Sequence, residues 1–331
     1  MSISASSVSA LTSLVGVSGR EKDVLMEAER RFTMAGAHCE YDGFGNLAVT
    51  RGEGNGITFY IHVDTPGFYT TYTERDGRIR VGTVGDIKPM LYAPVISERG
   101  VRGVFVKDSC PTSDGENVKS SDNPNSYYID IGRDSLLESS KYVSVSDTFV
   151  FYSPITRIGS RLMGFGISDR IFLCILLDLI ENTDIPGRFV FTVQHRVGSR
   201  GDVAAVYNES KIMQDNISVF LGSCYPGNAK CTDGALIITK GDDIISDLAL
   251  SRELFTFAKN LHIKAKLTAD AKVSRFVNLS ASVGEGTRLL SLSVPAQRYS
   301  TPCEAVSLQD VKEAEKLIEA ICREGRKAFG L

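Results

Sequence analysis

The segment 57–64 constrains the fold of this chain more than any other, because it is apolar for most of its length and polar at its end. A short continuous apolar run predicts a strand that is buried on both faces, as in sheets covered by helices. In open α/β sheets, ligands bind beyond the carboxyl ends of the strands. His62 and Asp64 stand at such an end in an H-x-D pattern. A single histidine there is more often a structural hydrogen-bonding group than a ligand, so the pattern needs support from other segments.

Helical periodicity lies on both sides of this strand. Ser18 and Glu21 have the spacing of a capping box before a helix that carries Val24, Leu25, Ala28 and Phe32 on one face. A second helix is predicted over 170–182 and leads to a buried strand over 189–194. A last amphipathic helix is predicted over 308–323. Alternating helices and buried strands predict an α/β domain.

The pattern changes between the residues numbered 69 and 160, where short alternating runs are separated by Gly, Asp and Ser. Such runs are typical of a small all-β unit. The part over 108–125 is rich in Ser, Asp, Asn and Pro and predicts a loop. We therefore expect an α/β domain formed by 1–68 plus 161–331, interrupted by a β insertion over 69–160.

Composition excludes several classes of protein. The 331 residues carry a net charge of −3 and are 43% hydrophobic, which is unlike a disordered chain or a polybasic nucleic-acid binder. The longest apolar run is far shorter than the ~20 residues of a membrane span. Seven cysteines without a C-x-x-C motif indicate free thiols in a reducing compartment. The sequence therefore predicts a cytoplasmic protein with neither nucleic-acid nor membrane partners.

Two further segments carry residues of chemical interest. Ser168-Asp169-Arg170 places an acid at a helix start, where it would serve equally well as a cap or as compensation for the helix dipole. The segment from Gln194 to Gly201 follows a buried strand, and its two glycines would also suit a tight turn.

Taken in order, the segments resemble the motifs of the glutamyl-aminopeptidase family, which includes the tetrahedral aminopeptidases and proteins once called cellulase M. The resemblance covers nearly the whole chain and is carried by Ser18-Gly19-Arg20-Glu21, Asp42-Gly43-Phe44-Gly45-Asn46-Leu47, His62-Val63-Asp64, Ser168-Asp169-Arg170, Val197-Gly198-Ser199-Arg200-Gly201, and Val294-Pro295 with Arg298-Tyr299. It implies a metallopeptidase-like mixed-sheet sandwich domain, interrupted by a barrel-like insertion of the kind the family uses for dimerisation. It also implies a cytoplasmic aminopeptidase with two metal ions.

The resemblance implies a set of metal ligands. In the family, one metal is bound by the H-x-D histidine, a bridging aspartate and a second aspartate. The other takes the bridging aspartate, a glutamate and a late histidine, and a neighbouring glutamate is the general base. By this resemblance His62 and Asp169 are retained ligands, and Asp64 is the catalytic-site residue that orients the histidine.

The remaining positions of that set are substituted. The glutamate pair has become His195-Arg196, the second aspartate falls at Gly222 (or at Phe220 on another alignment), and the late histidine falls at Thr301. Arg196 brings a permanent positive charge. Two unit charges at 4 Å interact by roughly 4 kcal/mol at an effective dielectric of 20, and a dication doubles that. We therefore expect no two-metal site, and either no metal or one divalent ion such as zinc or cobalt.

Two hypotheses about function follow. The first is an aminopeptidase-family protein without the two-metal site, a pseudo-peptidase whose cleft binds a peptide or small-molecule ligand while Arg196 pairs with Asp169 in place of a metal. The alternative is an active metal-dependent aminopeptidase with unusual ligands, in which His62, Asp169 and His195 hold one ion or His195 acts as the base. Cys224 or Cys303 would then be able to add a thiolate. A purely structural assembly protein is a third class, and a homo-oligomer, a dimer or larger, is expected from the resemblance.

Overall fold

A computed structural model describes residues 5–108, 126–212, 217–226, 229–241, 245–269 and 288–331. The helices are α1 Ala5–Thr12, α2 Lys22–Met34, α3 Leu136–Ser139, α4 Ile167–Asn182, α5 Arg200–Ile212, α6 Leu248–Asn260 and α7 Leu308–Glu324. The strands are β1 His38–Tyr41, β2 Leu47–Arg51, β3 Ile57–His62, β4 Gly67–Thr73, β5 Ile79–Val84, β6 Pro94–Ser97, β7 Arg102–Lys107, β8 Tyr127–Asp130, β9 Thr148–Phe151, β10 Thr156–Ile158, β11 Arg161–Met163, β12 Gly187–Thr192, β13 Ile217–Cys224, β14 Ala235–Ile238, β15 Ala265–Thr268, β16 Arg288–Gln297 and β17 Ala305–Ser307. Short 3-10 helices cover His195–Val197 and Gly325–Phe329.

The larger sheet is mixed and runs in the order β1-β2-β12-β3-β13-β16-β17-β11-β10, with β14 on β16 and β15 on β14. Strand β3 lies between β12 and β13 and is parallel to both, so three strands end at one edge of the sheet. Every residue of β3 is buried, as the apolar run predicts. The α/β interpretation of the sequence is therefore confirmed.

Helices bury the faces of this sheet. Helix α4 is buried along nearly its whole length, since thirteen of its sixteen residues are shielded from solvent. Helix α2 buries Val24, Leu25, Ala28 and Phe32, the four residues that the sequence places on one face. Phe32 stacks on Phe191 of β12 with ring centroids 5.1 Å apart. This packing fixes the strand ends that carry the polar residues of interest.

The second sheet is a closed six-stranded antiparallel barrel in the order β4-β5-β8-β7-β6-β9. Its interior is apolar, and Phe68 contacts both Phe105 and Phe151 there. The predicted β insertion therefore exists as a barrel. Most of the loop predicted over 108–125 lies outside the described residues.

Two local predictions are corrected by the structure. Ser18 and Glu21 form no capping box, because Ser18 Oγ donates to Asp64 Oδ2 and Glu21 Oε1 accepts from the backbone of Gly19 and Gln194. The two side chains make contacts far along the chain, which sequence spacing alone does not reveal. The helix predicted over 170–182 begins earlier, with Gly166 as its N-cap, so Asp169 lies in the first turn and is not the cap.

Among the described residues, the helices are all too short or too polar to cross a bilayer.

Candidate functional site

The carboxyl ends of β3 and β12 bring two histidines together. His62 is the last residue of β3 and lies opposite Thr192, the last residue of β12, and His195 follows three residues later. The two imidazole rings stack with centroids 4.2 Å apart and an interplanar angle of 14°. Both side chains are buried, at 6% and 1% exposure. The H-x-D pattern and the segment 194–201 therefore meet, as the resemblance implies.

Asp64 is the fully buried anion beside His62. Its Oδ2 accepts from Ser18 Oγ at 2.5 Å and from the backbone N–H of Arg196 at 2.9 Å, and its Oδ1 lies 3.6 Å from His62 Nδ1. Burial opposes the charged carboxylate, but these hydrogen bonds and the two histidines hold the pKa of Asp64 well below its usual range. Burial also opposes a charged His62, yet Asp64 and Asp169 together raise the pKa of His62 above its ordinary value.

His195 has a carboxylate partner of its own. Its Nδ1 lies 2.8 Å from Asp202 Oδ2, and Thr192 Oγ1 donates to the other oxygen of Asp202. A donor to each oxygen orients the carboxylate, which in turn orients the imidazole. Burial, together with the charge of His62, lowers the pKa of His195 below its ordinary value. The two stacked rings therefore have opposite shifts, since the pKa of His62 is raised and the pKa of His195 is lowered.

Arg196 forms ion pairs with two carboxylates of the site. Its guanidinium pairs with Asp169 and with Asp86, and its side chain is 9% exposed. Gly85 packs against the aliphatic part of the Arg196 side chain. A Cβ added at Gly85 would lie within 3.2 Å of the Cβ and Cδ atoms of Arg196. Burial opposes the charge, yet the nearby carboxylates, Asp169 first, raise the pKa of Arg196. The cation expected from the sequence is therefore present and paired.

Asp169 faces this guanidinium from the first turn of α4. Its Oδ1 lies 3.8 Å from His62 Nε2, and its side chain is 1% exposed. Gly166 supplies the left-handed N-cap conformation, with φ of 72°, that begins the helix at this point. The structure thus gathers His62, Asp64, Asp169, His195 and Arg196, and their catalytic or ligand roles stay predictions.

Glu304 is a buried residue that sequence reasoning missed. Its Oε2 accepts from the backbone and hydroxyl of Ser168, and its Oε1 accepts from the backbone of Ser300. Burial and the charge of Asp169 raise the pKa of Glu304 to about 8. Its partner Ser168 lies 136 residues away in the chain, and no local pattern around Glu304 indicates that contact. The contact fixes the start of α4, and with it Asp169.

The other substituted positions differ in their surroundings. Gly222 lies half-buried on β13, and a Cβ built there would meet no described atom within 4 Å. Phe220, the other alignment, packs its ring on Tyr60 in a core cluster. The described contacts of Thr301 stay within its own turn, since Thr301 Oγ1 donates to the carbonyl of Arg298. Its neighbour Ser300 is the fully buried residue that contacts Glu304.

These residues do not fit a two-metal centre. In the described part of the chain, no three His, Cys, Asp or Glu side chains are arranged to hold a metal ion. One oxygen of Asp169 is paired with Arg196, and Asp64 Oδ2 accepts hydrogen bonds from Ser18 and from the backbone of Arg196. A two-metal centre needs several carboxylate oxygens free to bind, and Arg196 already pairs with one oxygen of Asp169.

Known proteins share this architecture. An aminopeptidase from the archaeon Desulfurococcus kamchatkensis is 23% identical, with a TM-score of 0.85 over 97% of this chain and 95% of that one. The Pyrococcus horikoshii TET1 peptidase, which can assemble into a tetrahedron or a large octahedral shell, is 25% identical, with a TM-score of 0.83 over 96% of this chain and 98% of that one.

A sequence relative from Acetivibrio thermocellus, named "Putative aminopeptidase", is 27% identical over 325 residues, which are 94% of this chain and 96% of the relative. The sequence model of the M42 glutamyl aminopeptidase family matches residues 45–317. This match spans most of the chain, including His62, His195 and Arg196, and the chain therefore belongs to the M42 glutamyl aminopeptidase family.

Proposed function

We propose that this chain is an M42-family protein that has lost the two-metal centre and uses the remaining cleft to bind a peptide or small-molecule ligand without hydrolysing it. The observation that carries the proposal is the buried ion pair of Arg196 with Asp169. A guanidinium there supplies the positive charge that neutralises the aspartate. It also repels a dication at the same place.

The stacked histidines support the same proposal. A metal ion binds imidazole along a nitrogen lone pair in the plane of the ring, at about 2.0–2.1 Å for zinc. The rings of His62 and His195 are nearly parallel with centroids 4.2 Å apart. An ion placed between them would lie outside both ring planes. One ion bound by both histidines would therefore require the stack to open.

One observation favours the second candidate, an active aminopeptidase with a single ion. Asp169 Oδ2 is buried and accepts no hydrogen bond from any described residue. With His62 nearby, it would offer two ligands to one zinc or cobalt ion. His195, held by Asp202, would then be the candidate base. The pairing of Arg196 with the other oxygen of Asp169 weighs against this candidate.

The domain boundaries and the assembly belong to the same proposal. We place the peptidase-like domain at 1–68 plus 161–331 and the dimerisation-type insertion at 69–160. The closed barrel within that insertion supports this division. The shells that the TET1 peptidase forms support a homo-oligomer, a dimer or larger. A cytoplasmic location and the absence of nucleic-acid and membrane partners stay predictions from composition.

The test combines metal content with turnover. Protein purified without chelator is analysed for bound metals, and hydrolysis of a panel of aminoacyl-anilides is measured with added zinc, cobalt or manganese. We expect less than stoichiometric metal and no turnover above the uncatalysed rate. Robust metal-dependent turnover would refute the proposal and favour the second candidate. Peptide binding is measured on the same preparation by calorimetry, and a failure to bind any member of a peptide library would refute the peptide as the ligand.

A matched pair of variants sharpens this test. Arg196→Glu replaces the cation with a carboxylate, and Arg196→Gln removes the charge without adding a ligand. The proposal predicts that Arg196→Glu gains affinity for a divalent ion and that Arg196→Gln gains much less. Equal metal binding by the parent protein and both variants would show that Arg196 does not control the site.

A further inference from the structure

A cavity of about 360 Å³ opens at the edge of the sheet near the ends of β13 and β16. Its walls include Arg161, Tyr225, Lys230, Cys231 and Gln297. Tyr225 directly follows β13, Gln297 is the last residue of β16, and Arg161 is the first residue of β11. None of these residues belongs to the histidine and aspartate cluster described above.

Gln297 in the cavity wall lies three residues before Ser300, whose backbone donates to Glu304. Tyr299 follows Gln297 by two residues, and its hydroxyl is buried. Burial is the main cause that raises the pKa of Tyr299 well above its ordinary value, and the charge of Asp169 adds to it.

The charge of the cavity is positive. Among the described residues, neither Arg161 nor Lys230 forms an ion pair with a carboxylate. Arg161 instead donates from one guanidinium nitrogen to Gln297 Oε1 at 3.0 Å. This contact positions the guanidinium at the cavity wall.

Asp233 and Asp310, two acids of the adjoining loop and of helix α7, already accept hydrogen bonds. Asp233 accepts from the backbone of Lys230 and from the ammonium of Lys266, both at 2.8 Å. Asp310 is fully buried and accepts from the backbone N–H groups of Thr232 and Gly234. Neither carboxylate lines the cavity.

We propose that this cavity binds the carboxylate or phosphate group of a small ligand. The planar fork of Arg161 suits the spaced oxygens of either group, and the ammonium of Lys230 adds a second charge. Since Gln297 uses its oxygen on Arg161, its amide NH₂ remains as a donor, and the hydroxyl of Tyr225 is another. The volume exceeds that of one such group and leaves room for the organic part of the ligand.

This proposal does not rest on the proposed function of the neighbouring cleft. An anion bound here would be recognised in the same way whether the cleft binds its ligand passively or hydrolyses it. A negative result for the cavity therefore leaves the interpretation of Arg196 untouched, and the reverse also holds.

Calorimetric titration of the full-length protein at constant ionic strength tests the proposal, with inorganic phosphate in one arm and glutarate in the other. We expect at least one of these anions to bind with a Kd of about 1 mM or tighter. Arg161→Met and Lys230→Met should each weaken that binding by about tenfold or more, and Arg161→Lys should retain part of it. The arm that binds identifies the group, and binding in both arms supports recognition of oxyanions in general.

Arg157→Met is the matched control. Arg157 lies on β10 of the same hairpin, donates to the carbonyl of Gly159 and does not line the cavity. Its replacement should leave anion binding unchanged. The proposal is overturned if neither anion binds, or if Arg157→Met weakens binding as much as Arg161→Met. It is also overturned if Lys230→Met, a change at an exposed side chain that does not threaten folding, binds like the parent protein.

Discussion

Replacing Arg196 with methionine keeps most of the side-chain volume and removes the charge that pairs with Asp169. The pair is buried, with side-chain exposures of 9% for Arg196 and 1% for Asp169. Breaking a buried pair from one side leaves an uncompensated charge and costs about 3–5 kcal/mol. The partner Asp86 is 67% exposed, and exposed pairs contribute about 0–1 kcal/mol. We therefore expect Arg196→Met to lower the free energy of unfolding by about 3–5 kcal/mol, and Asp86→Asn to lower it by less than about 1 kcal/mol.

Urea denaturation followed by circular dichroism measures this difference, provided that the slope with urea is the same for all variants. The double variant Arg196→Met with Asp169→Asn removes both charges and should recover much of the lost stability. The two single changes should therefore be non-additive by about 2 kcal/mol or more. Additive effects, or an Arg196→Met protein as stable as Asp86→Asn, would refute the claim that the guanidinium neutralises Asp169. Added zinc should stabilise Arg196→Met more than the parent protein, because the repelling cation is gone.

Two further predictions concern other parts of the fold. Burial and the neighbouring Asp178 raise the pKa of Glu315 to about 7 from an ordinary 4.5, so the folded state holds a proton that the unfolded state releases. The free energy of unfolding should therefore fall as the pH rises from about 4.5 through 7. Melting temperatures measured between pH 5 and 8 should show this fall, and Glu315→Gln should make it smaller. An unchanged dependence of the melting temperature on pH in Glu315→Gln would contradict the assignment. Gly201→Ala should cost about 1–3 kcal/mol, because a Cβ there would lie 2.1 Å from the carbonyl oxygen of Val193. Gly222→Ala, with open space around its Cβ, should leave the melting temperature nearly unchanged, and equal effects of the two changes would count against these packing assignments.

Local patterns predicted much of the fold because their causes are local. The apolar run over 57–64 has no polar face, so a strand buried on both sides was the expected outcome, and β3 is that strand. Helix α7 and helix α2 follow from one-sided apolar periodicity. The closure of the barrel depends on the pairing of β4 with β9, which are separated by most of the insertion. Motif order predicted the barrel only through resemblance.

The site was less accessible from sequence because its contacts join distant segments. Ser18 has the spacing of a cap but bonds Asp64, which lies 46 residues away. Glu304 reaches Ser168 across 136 residues, and nothing near Glu304 marks it as buried. Thr301 was the expected position of a lost ligand, yet the buried residue of that turn is Ser300. Packing decides which residue of an irregular turn is buried, and a comparison of sequence motifs carries no information about packing.

The chain enters the barrel at Gly67, three residues after Asp64, and returns from β9 through β10 and β11 to the helix that carries Asp169. Gly85 and Asp86, in the connection that follows β5, lie against Arg196. Two chain connections and the ion pair of Arg196 with Asp86 therefore join the insertion to the cleft. Because Asp86 pairs with the same guanidinium as Asp169, the insertion contributes one of its own carboxylates to the charge balance of the cleft.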